Sequence, residues 1–193
     1  YLQCINEPDS KMYNLPMYCV LPRKTNVSRF AAAVKTVIET HKVLGITIGA
    51  GPSMRVSDFV AEIPVKEIED FDTYLEQFIR PFDLEQDSLW RAEVLVCKGR
   101  VYFVFDIHHI VFDGSSMKVF IDRIADVYNG KEIEEEALTL FDVALYEENL
   151  AISEEYREAQ AYFEQKLSGI DADSRPVPDV VMQNGDKGAC SGG

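Results

Sequence analysis

The stretch LWRAEVLVCKGRVYFVFDIHHI, residues 89–110, constrains the fold more than any other part of the chain. Apolar residues alternate or run continuously on both sides of Lys98-Gly99-Arg100, with the β-branched and aromatic side chains that suit a pleated, half-buried surface. Two such runs joined through a short glycine-containing turn specify an antiparallel hairpin. The second run ends on His108 and His109, two of only three histidines among 193 residues. DGSSMKVFIDRIADVYNG follows, placing Met117, Phe120, Ile121, Ile124 and Val127 on one helical face, with Gly130 as the stop. The result is a strand, a loop and a helix, with His109, Asp113 and Gly114 in or beside the loop.

The remaining elements surround this unit. MYNLPMYCVLP, residues 12–22, reads as a strand bounded by prolines. Asn26 can cap an amphipathic helix through Val27, Phe30, Val34, Val37, Ile38 and His41. LGITIGAGPSMRVSDF reads as two short strands around the turn at residues 49–52, and FDTYLEQFIRPF as a short helix stopped by Pro81. From about Leu138 the chain becomes helical and acidic, and the run EIEEEA with its neighbours is expected on solvated helix faces. Beyond Gly169 there is no periodicity, as expected for a linker or tail. Strands mixed with helices and an antiparallel hairpin give an α/β (α+β) class, a mixed sheet packed against helices. Neither GxGxxG nor GxxxxGK occurs, so no phosphate-cradling loop is signalled.

Composition removes several functions. A formal net charge of −14 with scattered Lys and Arg leaves no basic stripe for a nucleic-acid backbone. No apolar run approaches membrane-spanning length and no signal-peptide pattern opens the chain, so no membrane partner and a cytoplasmic location are expected. Cys4, Cys19, Cys97 and Cys190 form no CxxC pair. Cys19 and Cys97, in apolar alternating runs, are expected as buried small hydrophobes. The chain opens on Tyr1 and closes on a glycine-rich segment, as a piece of a longer polypeptide would.

The motif HHxxxDG at residues 108–114 admits three readings. A histidine at a strand end can simply be a satisfied structural group. Metal ligation is disfavoured, because neighbouring strand residues point to opposite faces and no further ligand lies near in sequence; no metal is expected. General acid–base chemistry needs an imidazole that is fixed and reachable by substrate.

FVFDIHHIVFDGSSM resembles the HHxxxDG motif of condensation domains of nonribosomal peptide synthetases, members of the chloramphenicol acetyltransferase-like superfamily. In order, YLQCINEPDSKMYNLP resembles the end of that family's first motif, VIETHKVLGITI its second and LTLFDVALYEEN the region of its fourth. The resemblance covers residues 1–168, the N-terminal lobe of such a domain, leaving 169–193 as linker or tail toward a C-terminal lobe. It implies a peptide-bond-forming acyltransferase of secondary-metabolite (antibiotic) synthesis, joining a donor acyl or peptidyl thioester to an acceptor aminoacyl thioester. His109 would act at the active centre, with His108 packed behind it. Asp113 would be a structural acid paired with an arginine, and Gly114 would allow a tight turn into the helix.

The implied partners are the C-terminal lobe and the donor and acceptor peptidyl carrier proteins. Phosphopantetheine would arrive on those carriers, with no cofactor bound by this lobe. Where the family's second motif usually has arginines, this chain has Thr40 and Gly45. Arg91 is then the expected substitute partner for Asp113, since an unpaired buried carboxylate is costly. His41 is expected as a packed structural histidine. Two other readings remain at this point: a recruitment module that has lost its chemistry, and a lobe of an epimerization domain. Because the expected site lies between two lobes, the isolated 193-residue chain should give no measurable transfer with loaded carrier proteins. Acceptor mass growth catalysed by the purified chain would overturn this expectation.

Overall fold

A computed structural model describes residues 1–49, 53–56 and 59–170. Tyr1–Val143 forms one unit and Ala144–Gly193 a second. In the first unit β1 (Asn14–Leu21), β4 (Val65–Ile68), β5 (Trp90–Cys97) and β6 (Arg100–His108) make one sheet in the order β1-β6-β5-β4. Of the three neighbouring pairs, β1–β6 and β6–β5 run antiparallel and the β4–β5 edge is parallel, so the sheet is mixed. The β5–β6 hairpin turns at Lys98 and Gly99, both with positive φ (48° and 75°). That is the type I′ geometry whose twist matches the flanking strands.

The two-residue period of β6 divides the sheet into unlike faces. Phe103, Phe105 and Ile107 join Trp90, Ala92 and Val94 against α2 (Val27–Thr40) and α4 (Gly114–Tyr128). Phe105 is fully buried and stacks on Phe120 with ring centroids 4.6 Å apart. On the opposite face Val104 and Leu95 pack with Phe78 of α3 (Phe71–Phe78). Asp106 and His108 share the parity of Val104 and occupy the end of that second face.

The helix ends follow the expected capping chemistry. Asn26 accepts from the Arg29 N–H at 3.0 Å, and Asp70 accepts from the Thr73 N–H at 2.9 Å. β2 (Ile46–Gly49) and β3 (Ser53–Val56) form a separate antiparallel pair, as the sequence indicates; the residues of their turn, 50–52, lie outside the described ones. Ile46 and Ile48 pack with Phe82, Leu84 and Leu89.

One expectation changes. Residues 131–136, including most of EIEEEA, have no regular structure and precede the helix α5 (Leu140–Ala151). Four glutamates within five positions repel at helical spacing, and no apolar face compensates. β4 carries no clear strand signal because it is an exposed edge of four residues, VKEI. A short helix α1 (Leu2–Asn6) was likewise not foreseen.

The second unit contains α6 (Glu154–Leu167), capped by Ser153, whose hydroxyl accepts from the Tyr156 N–H at 3.1 Å. Residues 171–193, most of the expected tail, lie outside the described residues. Among the described residues no helix is long and apolar enough to cross a membrane.

Phe105→Ala should cost about 3–5 kcal/mol, the usual range for an aromatic truncated in a packed core. Urea unfolding followed by circular dichroism would measure it.

Candidate functional site

β6 is held at its end from both sides. The His108 N–H donates to the Leu89 carbonyl and the His109 N–H to the Tyr13 carbonyl, each at 2.8 Å. The chain then turns, with the Val111 N–H donating back to the His108 carbonyl at 3.2 Å. His108 is the last strand residue and buried; His109, one position on, is exposed. Opposite fates for adjacent side chains are what strand alternation at a sheet end produces.

The His108 ring is enclosed by Tyr13 (centroids 5.9 Å apart) and Phe82 (6.0 Å, edge to face). Its Nδ1 accepts from the Ile110 N–H at 3.1 Å. The hydrogen-bond pattern therefore assigns the proton of the neutral ring to Nε2, which faces the Cys4 Sγ at 3.6 Å. Burial above all, then the N-terminal amino charge and His109, push its pKa down to about 4. His108 is thus a neutral acceptor that ties the turn behind His109.

Asp113 is the N-cap of α4. Its Oδ1 accepts from the Ser116 N–H at 2.8 Å and from the hydroxyls of Ser115 (2.8 Å) and Ser116 (2.7 Å). These donors, the Ser116 backbone N–H first, hold its pKa at about 2. Gly114 is the first residue of α4 and lacks the positive φ that Gly99, Gly130 and Gly169 adopt; a Cβ there would meet nothing within 4 Å. The expectation that glycine is needed for a tight turn is therefore corrected, because the first turn of a helix takes an ordinary backbone.

The expected pairing of Arg91 with Asp113 is also corrected. Arg91 and Asp106 are register partners on β5 and β6, and their side chains meet with Nη1 donating to Asp106 Oδ2 at 3.0 Å. Asp113 lies beyond the turn, where hydroxyl and backbone donors satisfy it. Asp106, fully buried, also accepts from Asn14 Nδ2 at 2.8 Å, while its Oδ1 has no hydrogen-bond partner among the described residues. Burial raises the Asp106 pKa and lowers that of Arg91 to about 10.

His41 caps the end of α2. Its ring Nδ1 donates to the Val37 carbonyl at 2.7 Å, and Nε2 lies 3.8 Å from Glu136. Thr40, at one expected arginine position, bonds its hydroxyl to the Thr36 carbonyl within the helix. Of the cysteines, Cys97 is buried and Cys19 half-buried, its thiol pKa raised by burial.

Two concavities lie among residues that pack near this turn, and His109 lines neither. One of about 610 Å³ is floored by Cys4, Ile48, Phe82 and Leu84. The other, about 270 Å³, lies among His41, Leu44, Phe112, Ser116 and Phe120. Among the described residues no group of three or more His, Cys, Asp or Glu is placed to hold a metal.

Asp106, Asn14, Phe82 and Cys4 are further members of the site that no motif marks. Asp106 alone left a signal, a carboxylate inside the apolar run FVFDI, which a buried strand tolerates only with a partner.

Comparison with known proteins agrees with this layout. The family model described as Condensation domain matches residues 1–188. Tyrocidine synthase 3 of Brevibacillus parabrevis is 30% identical over 165 residues, 81% of this chain and 2% of that protein. The starter condensation domain of rhizomide synthetase superposes with a TM-score of 0.72 at 21% identity, over 89% of this chain and 46% of that one. The X-domain in complex with OxyB from teicoplanin biosynthesis gives 0.69 at 24%, over 86% and 41%. Both structural likenesses speak to the fold, and the chain spans less than half of either.

The His108 geometry sets a pH dependence. Its unfolded pKa is near 6.5 and its folded value about 4, so the native state binds fewer protons between them. Its stabilising contribution is whole above pH ~6.5 and is lost as pH falls toward 4. Unfolding free energies across this window should fall by up to roughly 3 kcal/mol more for the wild type than for His108→Phe. Parallel curves from urea titrations at several pH values would contradict the assignment.

Proposed function

Because the chain belongs to the condensation-domain family of nonribosomal peptide synthetases, we propose that it supplies the histidine-bearing lobe of an amide-forming acyltransferase. The observation that carries this reading is the exposed His109 on a turn fixed by the Tyr13 carbonyl and by the neutral His108 behind it.

In this reading the α-amine of an aminoacyl thioester on one carrier protein attacks the thioester carbonyl carried by another. A C–N bond forms, the C–S bond breaks, and the peptide leaves attached to the acceptor. The attacking nitrogen must lose a proton, and the departing thiolate must gain one. An imidazole at the turn can accept the first and return it to the sulfur, or orient the amine and stabilise charge as the tetrahedral adduct forms. His108, with Nδ1 occupied by the Ile110 N–H, has no free acceptor for that proton. Asp113 caps the helix through Oδ1, so its part is to fix where the loop enters α4. Holding both thioesters in one channel makes the encounter effectively intramolecular, which supplies much of the rate. The phosphopantetheine arms enter with the carriers, and the second wall of the channel is the C-terminal lobe.

A second reading is a recruitment platform that has lost its chemistry. The absence of arginine at Thr40 and Gly45 favours it, as does the likeness to an X-domain whose structure is a complex with OxyB.

The two readings separate in the complete two-lobe domain with loaded donor and acceptor carriers. Acceptor mass should grow by the donor acyl group in the wild type, and His109→Ala should slow this by about 10²-fold or more. No growth with either protein, both folded and loaded, would favour the platform.

A further inference from the structure

The Arg91 guanidinium is joined to more of the molecule than an ion pair needs. Nη1 donates to Asp106 Oδ2 at 3.0 Å and to the carbonyls of Arg80 (2.5 Å) and Phe78 (3.4 Å), and Nη2 donates to the Pro81 carbonyl at 3.1 Å. These carbonyls belong to the end of α3 and the segment just after it, where a helix leaves acceptors without partners. The guanidinium carbon also lies over the Phe82 ring, 3.7 Å from its centroid, and that ring meets His108 edge-on. Asn14 closes the arrangement by donating to both Asp106 and the Arg80 carbonyl.

Stability alone does not explain the arrangement. Burial works against both charges, and the nearby Arg80 charge works further against Arg91; a buried ion pair is in general weak evidence for stability. One carboxylate oxygen has no partner among the described residues. An apolar pair of similar volume would serve the core equally well, but could not hold three carbonyls and a ring in fixed positions.

We propose that Arg91, fixed by Asp106, is a positioning residue for His109, acting through Phe82 and His108. The guanidinium fixes the segment 78–82, Phe82 fixes the plane of His108, and His108 Nδ1 fixes the Ile110 amide and with it the turn that presents His109. The catalytic consequence rests on the amide-forming reading; the structural relay does not.

Phe82→Leu removes the ring between Arg91 and His108 and leaves the ion pair untouched. Arg91→Met/Asp106→Leu removes the pair without stranding a buried charge. In the 193-residue chain labelled with ¹⁵N, both variants should speed hydrogen exchange at the Ile110 amide tenfold or more and move the His108 ring nitrogens away from their wild-type shifts. Wild-type exchange and shifts in Phe82→Leu overturn the relay, and the same result in a folded double variant overturns the role of Arg91. If the double variant does not fold, Arg91→Lys replaces it: the charge is kept and the fork lost, so the same changes are expected, and wild-type values overturn the role. In the complete domain, Phe82→Leu should lower kcat for transfer about tenfold with KM for the loaded carriers unchanged; wild-type kcat overturns the catalytic consequence. Absence of transfer in the wild type itself would sink the amide-forming reading, and the catalytic consequence with it, while leaving the relay to be decided by the spectra.

Discussion

The two-residue period of β6 is the constraint on which the rest depends. A strand in the middle of a sheet has to satisfy both neighbours with its backbone and both layers with its side chains. Phe103, Phe105 and Ile107 commit one face to α2 and α4. The other face is left to Val104, Asp106 and His108, and a one-residue slip would exchange the two sets. The register with β1 and β5 thus decides that His108 is buried, that His109 emerges, and that Asp106 meets Arg91.

That dependence explains why much of the fold was legible in the sequence. The hairpin, α2 and α4 are strongly periodic, and their caps and turn residues agree with their patterns. The HHxxxDG segment was recognisable as a loop between a strand and a helix, and the exposure of His109 follows from its position one residue past a buried strand end. β4 was not legible because an exposed edge strand of four residues has no hydrophobic alternation to read. The acidic run before α5 has the charge density of a solvated helix face, but like charges at helical spacing oppose a helix.

The partner of Arg91 was misassigned for a different reason. Asp113 is the acid that the motif advertises, yet cross-strand pairing is set by register, and register depends on the turn length and on both faces together. Phe82 and Asn14 reach the site from elements distant in sequence, 26 and 94 residues from His108, and no local pattern announces such contacts. Asp106 was visible as an anomaly, a charge in an apolar strand, but its partner was not.

The attachment of β1 has a consequence for the order in which the molecule assembles. β5 and β6 are joined by a two-residue turn and can pair with little loss of chain entropy. β1 must find β6 across most of the unit, Asn14 beside His108. Contacts of such long sequence separation carry the greater closure cost and form slowly. The Tyr13 carbonyl that holds the His109 amide arrives only with β1. The hairpin can therefore exist before the site does, and loosening of the β1 edge would release the histidine turn while the rest of the sheet stays closed.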